Sequence, residues 1–349
     1  MSLTLSVVCP IYNEERYIAK CIDTILGQDF SHNDWEILFV DGMSTDRTRE
    51  IVREYSAKYS FIQLLDNPRK IVPPAMNIGI MHAAGEIIIR LDAHAFYPTN
   101  YFSVLISKLK ELNADNVGAV CRTLPADDSD KGKAIAAALS SSFGMGNSRF
   151  RVGAKEEIEV DTVPFGCFRK ELFEKIGLYD DELIRNQDDE LNGRIIKNGG
   201  KIYLLPDLIV DYFARDSIRK TGKMFYQYGL FKPLVNKKLG FPATVRQFFP
   251  LVFVLGLILG LIASVFSPLL RVIYISILVL YVLLAIVSSL KTTRSLKQIF
   301  YQVVTYFVIH VNYGCGYLIG IYKILIHQSF VVKVNRCLLY TSDAADDKA

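Results

Sequence analysis

Short apolar runs alternate with amphipathic helical patterns along the chain up to about residue 213. In the helical stretches, apolar residues recur every three or four positions, which is the spacing of one helix face. This alternation predicts an α/β domain in which helices cover a sheet. The predicted strands are Leu5–Cys9, Trp35–Val40, Phe61–Leu65, Glu86–Leu91 and Val117–Cys121; the predicted helices are one capped by Asn13 and those near Asp46–Tyr59, Pro74–Ala84, Asn100–Leu112 and Asp189–Asn198.

The apolar pattern becomes continuous after residue 247. Phe248–Leu270 carries no charge, and after Arg271 the run Val272–Leu290 is again uncharged. Since about 20 apolar residues in a helix cross a hydrocarbon core of ~30 Å, both runs are long enough to span a bilayer. A third stretch, about Ile299–Ile326, contains polar residues and either spans or packs them against the other two helices. Residues 248–326 are therefore predicted to form a membrane region with two or three transmembrane helices.

Positive charges flank these runs unevenly. Lys and Arg residues precede the first run and follow the second, whereas Arg271 alone lies between them. Because cytoplasmic loops carry the excess of Lys and Arg, the N-terminal region and the 291–298 loop are predicted to be cytoplasmic. The basic, aromatic segment 214–247 is predicted to lie as an interfacial amphipathic helix on anionic headgroups. Residues 338–349 fit neither a span nor a domain and are expected to be a non-native tail.

Composition narrows the classes of protein further. Apolar residues make up 51% and charged residues 22% of the 349 positions, which excludes an intrinsically disordered chain. The net charge of +4 is too small to indicate binding to nucleic acid, and no nucleic-acid partner is expected. The six cysteines form no C-x-x-C pair and no tight cluster, so neither a disulfide framework nor a zinc site is predicted.

Two acidic residues, Asp41 and Asp92, come directly after predicted strands. Open α/β sheets bind ligands outside the carboxyl ends of their strands, where such residues meet. A single aspartate in this position is ordinarily a turn former or a helix cap. Two of them on one sheet edge, with a third acidic cluster at 188–190, favour a ligand site.

Five short motifs surround these residues, and they are Val7–Glu15 (VVCPIYNEE), Phe39–Asp46 (FVDGMSTD), Asn77–Gly79 (NIG), Arg90–His94 (RLDAH) and Gln187–Arg194 (QDDELNGR). In this order and spacing they resemble the motifs of family 2 glycosyltransferases, which have the GT-A fold. The resemblance covers about residues 1–235. It is greatest to bacterial exopolysaccharide enzymes of the succinoglycan-biosynthesis type.

The resemblance implies a GT-A nucleotide-sugar-binding domain over residues 1–213, built on a mixed, mostly parallel sheet. The donor would be a nucleotide sugar, in particular a UDP-sugar. The family would use Asp41 to accept a hydrogen bond from a pyrimidine N–H and Tyr12 to stack on the base. Considered without the family, Glu14 is equally well an acid favoured by the dipole of a helix first turn. The residues aligned with the donor site of the family are Pro10, Tyr12, Glu14, Asp41, Asn77 and Asp92.

Asp92-Ala93-His94 occupies the D-x-D position, where the family holds a divalent cation against the diphosphate. If this segment is extended, residues 92 and 94 are two positions apart, and their side chains point to the same face. The resemblance therefore implies a divalent cation, Mn²⁺ or Mg²⁺, and imidazole suits Mn²⁺ better. The alternative for His94 is a buried histidine that is hydrogen-bonded in a turn.

Asp188 falls on the catalytic carboxylate of the family, which implies that it is the general base for the acceptor hydroxyl in an inverting transfer. Gln187 replaces the usual glutamate beside it. Asp189 stays open as the alternative base, because neighbouring helix positions diverge by about 100° and only one can face the acceptor. Gly166 and Cys167 match a loop that closes on donor and acceptor in the family.

The leading hypothesis is an inverting, metal-dependent glycosyltransferase on the cytoplasmic face of a bacterial inner membrane. It would move a sugar from the nucleotide donor to a lipid-linked oligosaccharide in exopolysaccharide biosynthesis. Two alternatives stay open: direct transfer to a polyprenyl phosphate, and a catalytically silent nucleotide-binding membrane protein. The expected partners are the nucleotide sugar, a lipid-linked saccharide and the membrane.

Overall fold

The computed structural model describes residues 3–31, 34–242 and 244–330, and the predicted tail at 338–349 lies outside them. The described residues fall into two units. The sheet unit comprises residues 3–122 and 153–212, and the helical unit comprises residues 123–152 and 213–330.

The strands are β1 (Leu5–Ile11), β2 (Trp35–Asp41), β3 (Ile62–Asp66), β4 (Ile87–Arg90), β5 (Ala95–Phe96), β6 (Asn116–Leu124), β7 (Ile158–Glu159), β8 (Cys167–Arg169) and β9 (Ile202–Phe213). The helices are α1 (Ile18–Leu26), α2 (Thr48–Lys58), α3 (Val72–His82), α4 (Tyr101–Glu111), α5 (Asp130–Leu139), α6 (Ser142–Met145), α7 (Arg149–Val152), α8 (Glu171–Ile176), α9 (Gln187–Lys197), α10 (Ile218–Leu239), α11 (Phe249–Phe266), α12 (Pro268–Ser289) and α13 (Leu296–Leu325), with a 3-10 turn at Val245–Phe248.

The strands form one mixed sheet in the order β3-β2-β1-β4-β8-β6-β9-β5, with β7 paired to β9. The parallel pairs lie in its β3-β2-β1-β4 half, whereas β8 is antiparallel to both β4 and β6. The expected α/β class and mixed sheet are therefore confirmed, and the β3-β2-β1-β4 half is parallel.

Strand β1 is central to the parallel half, and all its residues are buried. Pro10 is tolerated in this position although it has no N–H to donate. Leu91 N donates to the carbonyl oxygen of Val8 at 3.0 Å, and Pro10 is the next residue on that side, beyond the last β1–β4 pair in register. The chain therefore leaves β1 at the carboxyl edge of the sheet without losing a ladder hydrogen bond.

The predicted strands and helices named above are present with bounds shifted by at most three residues, but the predicted cap of α1 is wrong. Helix α1 begins at Ile18, after Tyr17 at its N-cap position. Asn13 instead has a positive φ of 54°, and its Oδ1 accepts a hydrogen bond from Thr45 N at 2.9 Å. The side chain is used between two loops, so it is not available to a helix end.

The helical unit takes in residues 123–152, which the sequence-based division had assigned to the 1–213 domain. The reason is an apolar face on α5. Ile135, Ala138 and Leu139 are buried in one cluster with Tyr306 and Ile309 of α13. An amphipathic helix is placed by the surface that covers its apolar stripe, and here that surface is α13.

Helix α10 lies within the predicted interfacial segment 214–247, and its apolar face packs against α13. Backbones approach closely there: an added Cβ would lie 2.0 Å from the Tyr313 carbonyl oxygen at Gly229, and 2.1 Å from that of Tyr226 at Gly316. Small residues allow such close helix pairs. The sequence pattern showed that α10 is amphipathic, and α13 is the surface that its apolar side contacts.

Three helical segments are long and apolar enough to cross a membrane, by length and composition. They are Val245–Phe266, Pro268–Ser289 and Leu296–Leu325, with mean hydropathies of 2.6, 2.7 and 1.3. The third apolar stretch therefore qualifies as a candidate span alongside the two uncharged runs.

Gly85 allows a test of the packing in the sheet unit, because it lies against the backbone of β1. An added Cβ there would lie 2.5 Å from Leu5 C and Ser6 N. Backbone atoms cannot move aside as a flexible side chain can, so we expect Gly85→Ala to lower the free energy of unfolding by roughly 1–3 kcal/mol. Trp35, the single tryptophan, is buried in β2, so its fluorescence during thermal unfolding of the detergent-solubilised protein reports on this unit.

The matched control is Gly27→Ala at the C-cap of α1. Gly27 has φ −83°, and an added Cβ there meets its nearest atom at 3.5 Å. The thermal unfolding midpoint of the Gly27→Ala variant should stay close to that of the unsubstituted protein. Equal midpoints for the two variants would contradict the packing assignment of Gly85.

Candidate active site

Two loops at the carboxyl edge of the sheet, after β1 and after β2, are hydrogen-bonded to each other. Asn13 N donates to Ser44 Oγ at 2.8 Å, and Thr45 N donates back to Asn13 Oδ1 at 2.9 Å. Glu14 N donates to Thr48 Oγ1 at 2.7 Å. These bonds hold the expected donor residues of β1 and β2 on one rigid edge.

Asp41 ends β2 and is fully buried. Its Oδ2 accepts from Arg49 Nη1 at 2.5 Å and from Ser44 N at 2.9 Å, and its Oδ1 accepts from Ser44 Oγ at 2.5 Å. Arg49 also pairs with Asp66 at 2.7 Å. A carboxylate can accept about four hydrogen bonds, and three of those of Asp41 are made within the protein.

Pro10 and Tyr12 flank this edge but are both buried, with Tyr12 only 6% exposed. The Tyr12 ring therefore does not present an open face of the kind that stacking on a base requires. The expected stacking contact would need a movement of this side chain.

His94 and Glu14 form a buried pair. His94 Nδ1 lies 3.3 Å from Glu14 Oε1, and the side chains are 11% and 4% exposed. The expectation of an extended segment at 92–94 is wrong, because Ala95 N donates to the Asp92 carbonyl oxygen at 3.4 Å and closes a turn that leads into β5. His94 thus has the geometry of the alternative, a buried histidine hydrogen-bonded in a turn.

Arg90, the last residue of β4, contacts two carboxylates. Its Nη1 donates to Asp188 Oδ1, and its Nη2 lies 3.3 Å from Asp92 Oδ1. The Arg90 side chain is 6% exposed, whereas those of Asp92 and Asp188 are 23% and 28% exposed. The expected donor-side aspartate and the expected base are therefore brought together by one guanidinium.

Burial and ion pairing act against each other on these groups. Burial alone would lower the pKa of Arg90, but attraction to Asp188 and Asp92 outweighs it and holds that pKa well above its ordinary value. Burial raises the pKa of Asp188, and the opposing effect of Arg90 reverses this only in part. Asp188 is therefore a stronger base than an exposed aspartate, and it stands beside a permanent positive charge.

Asn77 was expected in the donor site, and in the structure its amide holds the 179–181 loop. Its Nδ2 donates to the Tyr179 carbonyl oxygen at 2.9 Å and to Asp181 Oδ1 at 2.8 Å, and its Oδ1 accepts from Tyr179 N at 2.9 Å. Burial, together with the charge of Asp188, raises the pKa of Tyr179. Asn77 thus fixes a buried tyrosine that lies close to Asp188.

The acidic residues at the start of α9 have different partners. Glu190 is 4% exposed and accepts two hydrogen bonds from Arg194, at 2.7 and 2.9 Å. Arg194 also donates to the backbone carbonyls at 176–178, so this pair secures the loop after α8. Asp188, the second residue of α9, has its contact with Arg90 instead.

Gly166 and Cys167 do not form the closing loop that was expected. Cys167 begins β8, between β4 and β6, and burial raises the pKa of its thiol far above the usual range. The Gly166 carbonyl oxygen accepts from Arg90 N at 3.0 Å, and an added Cβ on Gly166 would lie 2.4 Å from Asn116 Oδ1. A motif match gives a position in the chain but not its conformation, and here the position is a buried strand.

The side chains that could coordinate a metal fit a divalent cation only in part. Among residues 3–31, 34–242 and 244–330, no three His, Cys, Asp or Glu side chains are grouped to hold a metal ion. Asp92 and His94 supply a carboxylate and an imidazole, which suit Mn²⁺. Glu14 contacts His94 Nδ1 as the carboxylates that orient metal-ligating histidines do. Two protein ligands would leave most positions of a divalent cation to other oxygens, so the fit is partial.

Comparisons with known proteins identify the class. The model of glycosyl transferase family 2 matches residues 6–177. The dolichyl N-acetyl-alpha-D-glucosaminyl phosphate 3-beta-D-2,3-diacetamido-2,3-dideoxy-beta-D-glucuronosyltransferase of Methanococcus voltae is 30% identical over 327 residues, which are 91% of this chain and 97% of that protein. Succinoglycan biosynthesis protein ExoA of Rhizobium meliloti is 31% identical over 224 residues, 64% of this chain and 66% of that protein.

Among solved structures, mannosyltransferase PcManGT of Pyrobaculum calidifontis, in complex with GDP-Man and Mn²⁺, is similar in fold. The TM-score is 0.61 at 17% identity, over 93% of this chain and 88% of that one. The fold is that of GT-A glycosyltransferases. The chain belongs to glycosyltransferase family 2, as its motifs indicated.

Arg90 belongs to the motif Arg90–His94, but the motif predicted no role for it. A signal was present, because Arg90 ends the apolar run Ile87–Ile89 two positions before Asp92. Alternate residues of a strand point to one face, so a charged residue there predicts a partner for Asp92. The contact with Asp188, which lies 98 positions away, has no local signal.

The metal assignment predicts that sugar transfer requires a divalent cation. We expect EDTA to abolish transfer and Mn²⁺ to restore it at least as well as Mg²⁺, and we expect Asp92→Ala to remove activity. His94→Asp should retain activity and shift the preference toward Mg²⁺, because a carboxylate is the harder ligand. Turnover with each ion is measured on EDTA-treated protein.

His82→Asp is the control for this substitution. His82 is an exposed histidine at the end of α3, with Nδ1 2.8 Å from the Ile78 carbonyl oxygen. The His82→Asp variant should have the same ratio of Mn²⁺-supported to Mg²⁺-supported activity as the unsubstituted protein. Undiminished turnover in EDTA would show that the metal assignment is wrong.

Proposed function

We propose that the protein transfers a sugar, with inversion, from a UDP-sugar to a lipid-linked saccharide at the cytoplasmic face of the cell membrane, in exopolysaccharide biosynthesis. The observation that carries the proposal is the pair of carboxylates Asp92 and Asp188, brought together by Arg90 at the carboxyl edge of a family 2 fold. The apolar helices of the same chain support an acceptor that is held in a membrane.

Each part of the site has a role in this reaction. Asp41, which is fully buried, would accept a hydrogen bond from the nucleobase after a movement that opens this edge. Asp92 with His94 would hold a divalent cation, which would neutralise charge on the departing diphosphate. Asp188 takes the proton of the acceptor hydroxyl. At the same time the oxygen of that hydroxyl forms the bond to the anomeric carbon, and the bond from this carbon to the diphosphate breaks. The raised pKa of Asp188 favours proton uptake, and its partial exposure leaves it accessible to the acceptor.

The relatives support a saccharide already attached to lipid as the acceptor. The name of the Methanococcus voltae relative, which aligns over nearly its whole length, specifies a dolichyl phosphate that already carries a sugar. Direct transfer to a polyprenyl phosphate is the second candidate. It is supported by a dolichyl-phosphate beta-glucosyltransferase of Trichomonas vaginalis, 35% identical over 118 residues, which are 32% of this chain and 36% of that protein.

The test is single-turnover transfer by the full chain in nanodiscs, with a panel of nucleotide sugars and both acceptor types. We expect transfer to the lipid-linked saccharide from a UDP-sugar. Asp188→Asn should slow it by roughly 10²–10⁴ at saturating donor and cation, as loss of a general base does. Donor binding without transfer or hydrolysis in any combination would favour the silent nucleotide-binding protein.

Asp189→Asn is the matched control, since it makes the same change one position along α9. It should retain most of the activity. An inactive Asp189→Asn beside an active Asp188→Asn would assign the base to Asp189. Full activity of both would place the base elsewhere.

We also propose that only α11 and α12 cross the bilayer. The most apolar windows of these two helices are 11% and 6% buried within the protein, against 39% for α13. Helix α13 runs along α10 from Val308 to Gly320: an added Cβ at Gly222 would meet Val308 at 2.8 Å, and one at Gly320 would meet the Leu230 carbonyl oxygen at 2.4 Å. Lysines and arginines occur along the whole of α10, and the residues are Arg219, Lys220, Lys223, Lys232, Lys237 and Lys238.

A charged residue at the centre of a membrane helix costs about 2.5–3.5 kcal/mol on insertion scales. Helix α10 therefore stays outside the hydrocarbon core, and α13 stays with it. Single cysteines test this topology in sealed vesicles with a membrane-impermeant thiol reagent, in a Cys315→Ser, Cys337→Ser background. Lys291→Cys and Gln328→Cys should react from one face and Phe266→Cys from the other. A Gln328→Cys site on the same face as Phe266→Cys would show that α13 spans.

A further inference from the structure

Arg90 touches both carboxylates to which the proposed function gives roles. We propose that Arg90 is a positioning residue that couples the cation site to the base by dividing its charge between Asp92 and Asp188. A cation bound at Asp92 shifts Arg90 toward Asp188, and loss of Asp188 shifts Arg90 toward Asp92. The inference rests on the proposed function for the roles of the two aspartates.

The position of Arg90 is fixed by its strand. Arg90 is in register with Val8 of β1, and its backbone N donates to the Gly166 carbonyl oxygen at 3.0 Å. The Phe165 ring centroid lies 6.0 Å from the guanidinium carbon. With its backbone held on both sides and its side chain 6% exposed, Arg90 can redistribute its hydrogen bonds but cannot leave the site.

The two ion pairs differ in length. The contact of Nη1 with Asp188 is the shorter one, and Nη2 is 3.3 Å from Asp92. A guanidinium presents several donors in a rigid fork, so one side chain serves two acceptors at once. Asp92 is therefore the partner that Arg90 releases more readily when a cation competes for that carboxylate.

The sign of the coupling follows from the charges. A buried positive charge needs compensation from nearby carboxylates. With Asp188 present, part of the Arg90 charge is neutralised there, and the cation meets an Asp92 that is only weakly engaged. Without Asp188, Arg90 pairs with Asp92 alone and opposes the cation. Loss of the base should therefore weaken cation binding through Arg90.

The test measures binding of Mn²⁺ in the presence of UDP, with free Mn²⁺ quantified by electron paramagnetic resonance, and needs no turnover. Four proteins form a cycle: the unsubstituted chain, Asp188→Asn, Arg90→Met and the double variant. We expect Asp188→Asn to weaken Mn²⁺ binding roughly tenfold in the unsubstituted background and about threefold or less in the Arg90→Met background. The direct loss of the Asp188 charge is common to both backgrounds, so the difference isolates Arg90.

If Arg90 only fills space, Asp188→Asn should weaken Mn²⁺ binding by the same factor in both backgrounds. That result would overturn the inference while leaving the proposed function intact. No Mn²⁺ binding by the unsubstituted protein would contradict the metal assignment and this inference with it. Arg122→Met is the control, since Arg122 forms an exposed pair with Asp211 at 2.6 Å. In that background Asp188→Asn should retain its full effect.

Trp35 fluorescence establishes that each variant is folded. Should Arg90→Met not fold, Arg90→Lys replaces it in the cycle. Lysine keeps the charge but lacks the two-ended fork, so the factor for Asp188→Asn should fall below that in the unsubstituted background. An unchanged factor with lysine would contradict the proposed sharing of one guanidinium between two carboxylates.

Discussion

The buried guanidinium of Arg90 is the interaction on which the rest of the site depends. A charge with 6% exposure at the end of a central strand is stable only with carboxylates beside it. Asp92 comes from the same strand end and Asp188 from the first turn of α9, so the pairing connects the parallel half of the sheet to a helix that follows its antiparallel part. Strand β8 and Gly166, the residue before it, then act as a support, since the Gly166 carbonyl oxygen holds the backbone of Arg90 from the other side.

A second constraint, close approach of backbones, governs the helical unit. Gly229 and Gly316 leave no room for a Cβ between α10 and α13, and the alanine-rich face of α5 packs on α13 as well. Helix α13 is therefore shared by two helices that carry charges. Its apolar sequence is explained by this packing, which hydropathy alone does not distinguish from contact with lipid.

The sequence predicted the elements whose signal is local. Strands β1 and β2 were recognisable because they are buried on both faces, and Asp41 because it directly follows one of them. The contact of Arg90 with Asp188 was not recoverable, since it depends on how distant segments fold together. Three local conformations differ from expectation for a common reason: Asn13, His94 and Cys167 have the residue types that their patterns suggest, but tertiary hydrogen bonds and strand pairing decide their conformations.

Burial explains why Asp188, rather than its acidic neighbour Glu190, is suited to accept a proton. Glu190 is 4% exposed and both its oxygens accept from Arg194, so it is closed to a substrate. Asp188 is 28% exposed, and its ion pair with Arg90 is made through Oδ1. The desolvation that raises the pKa of Asp188 also requires Arg90 to keep a carboxylate beside it. One environment thus makes the carboxylate more basic and holds it in place.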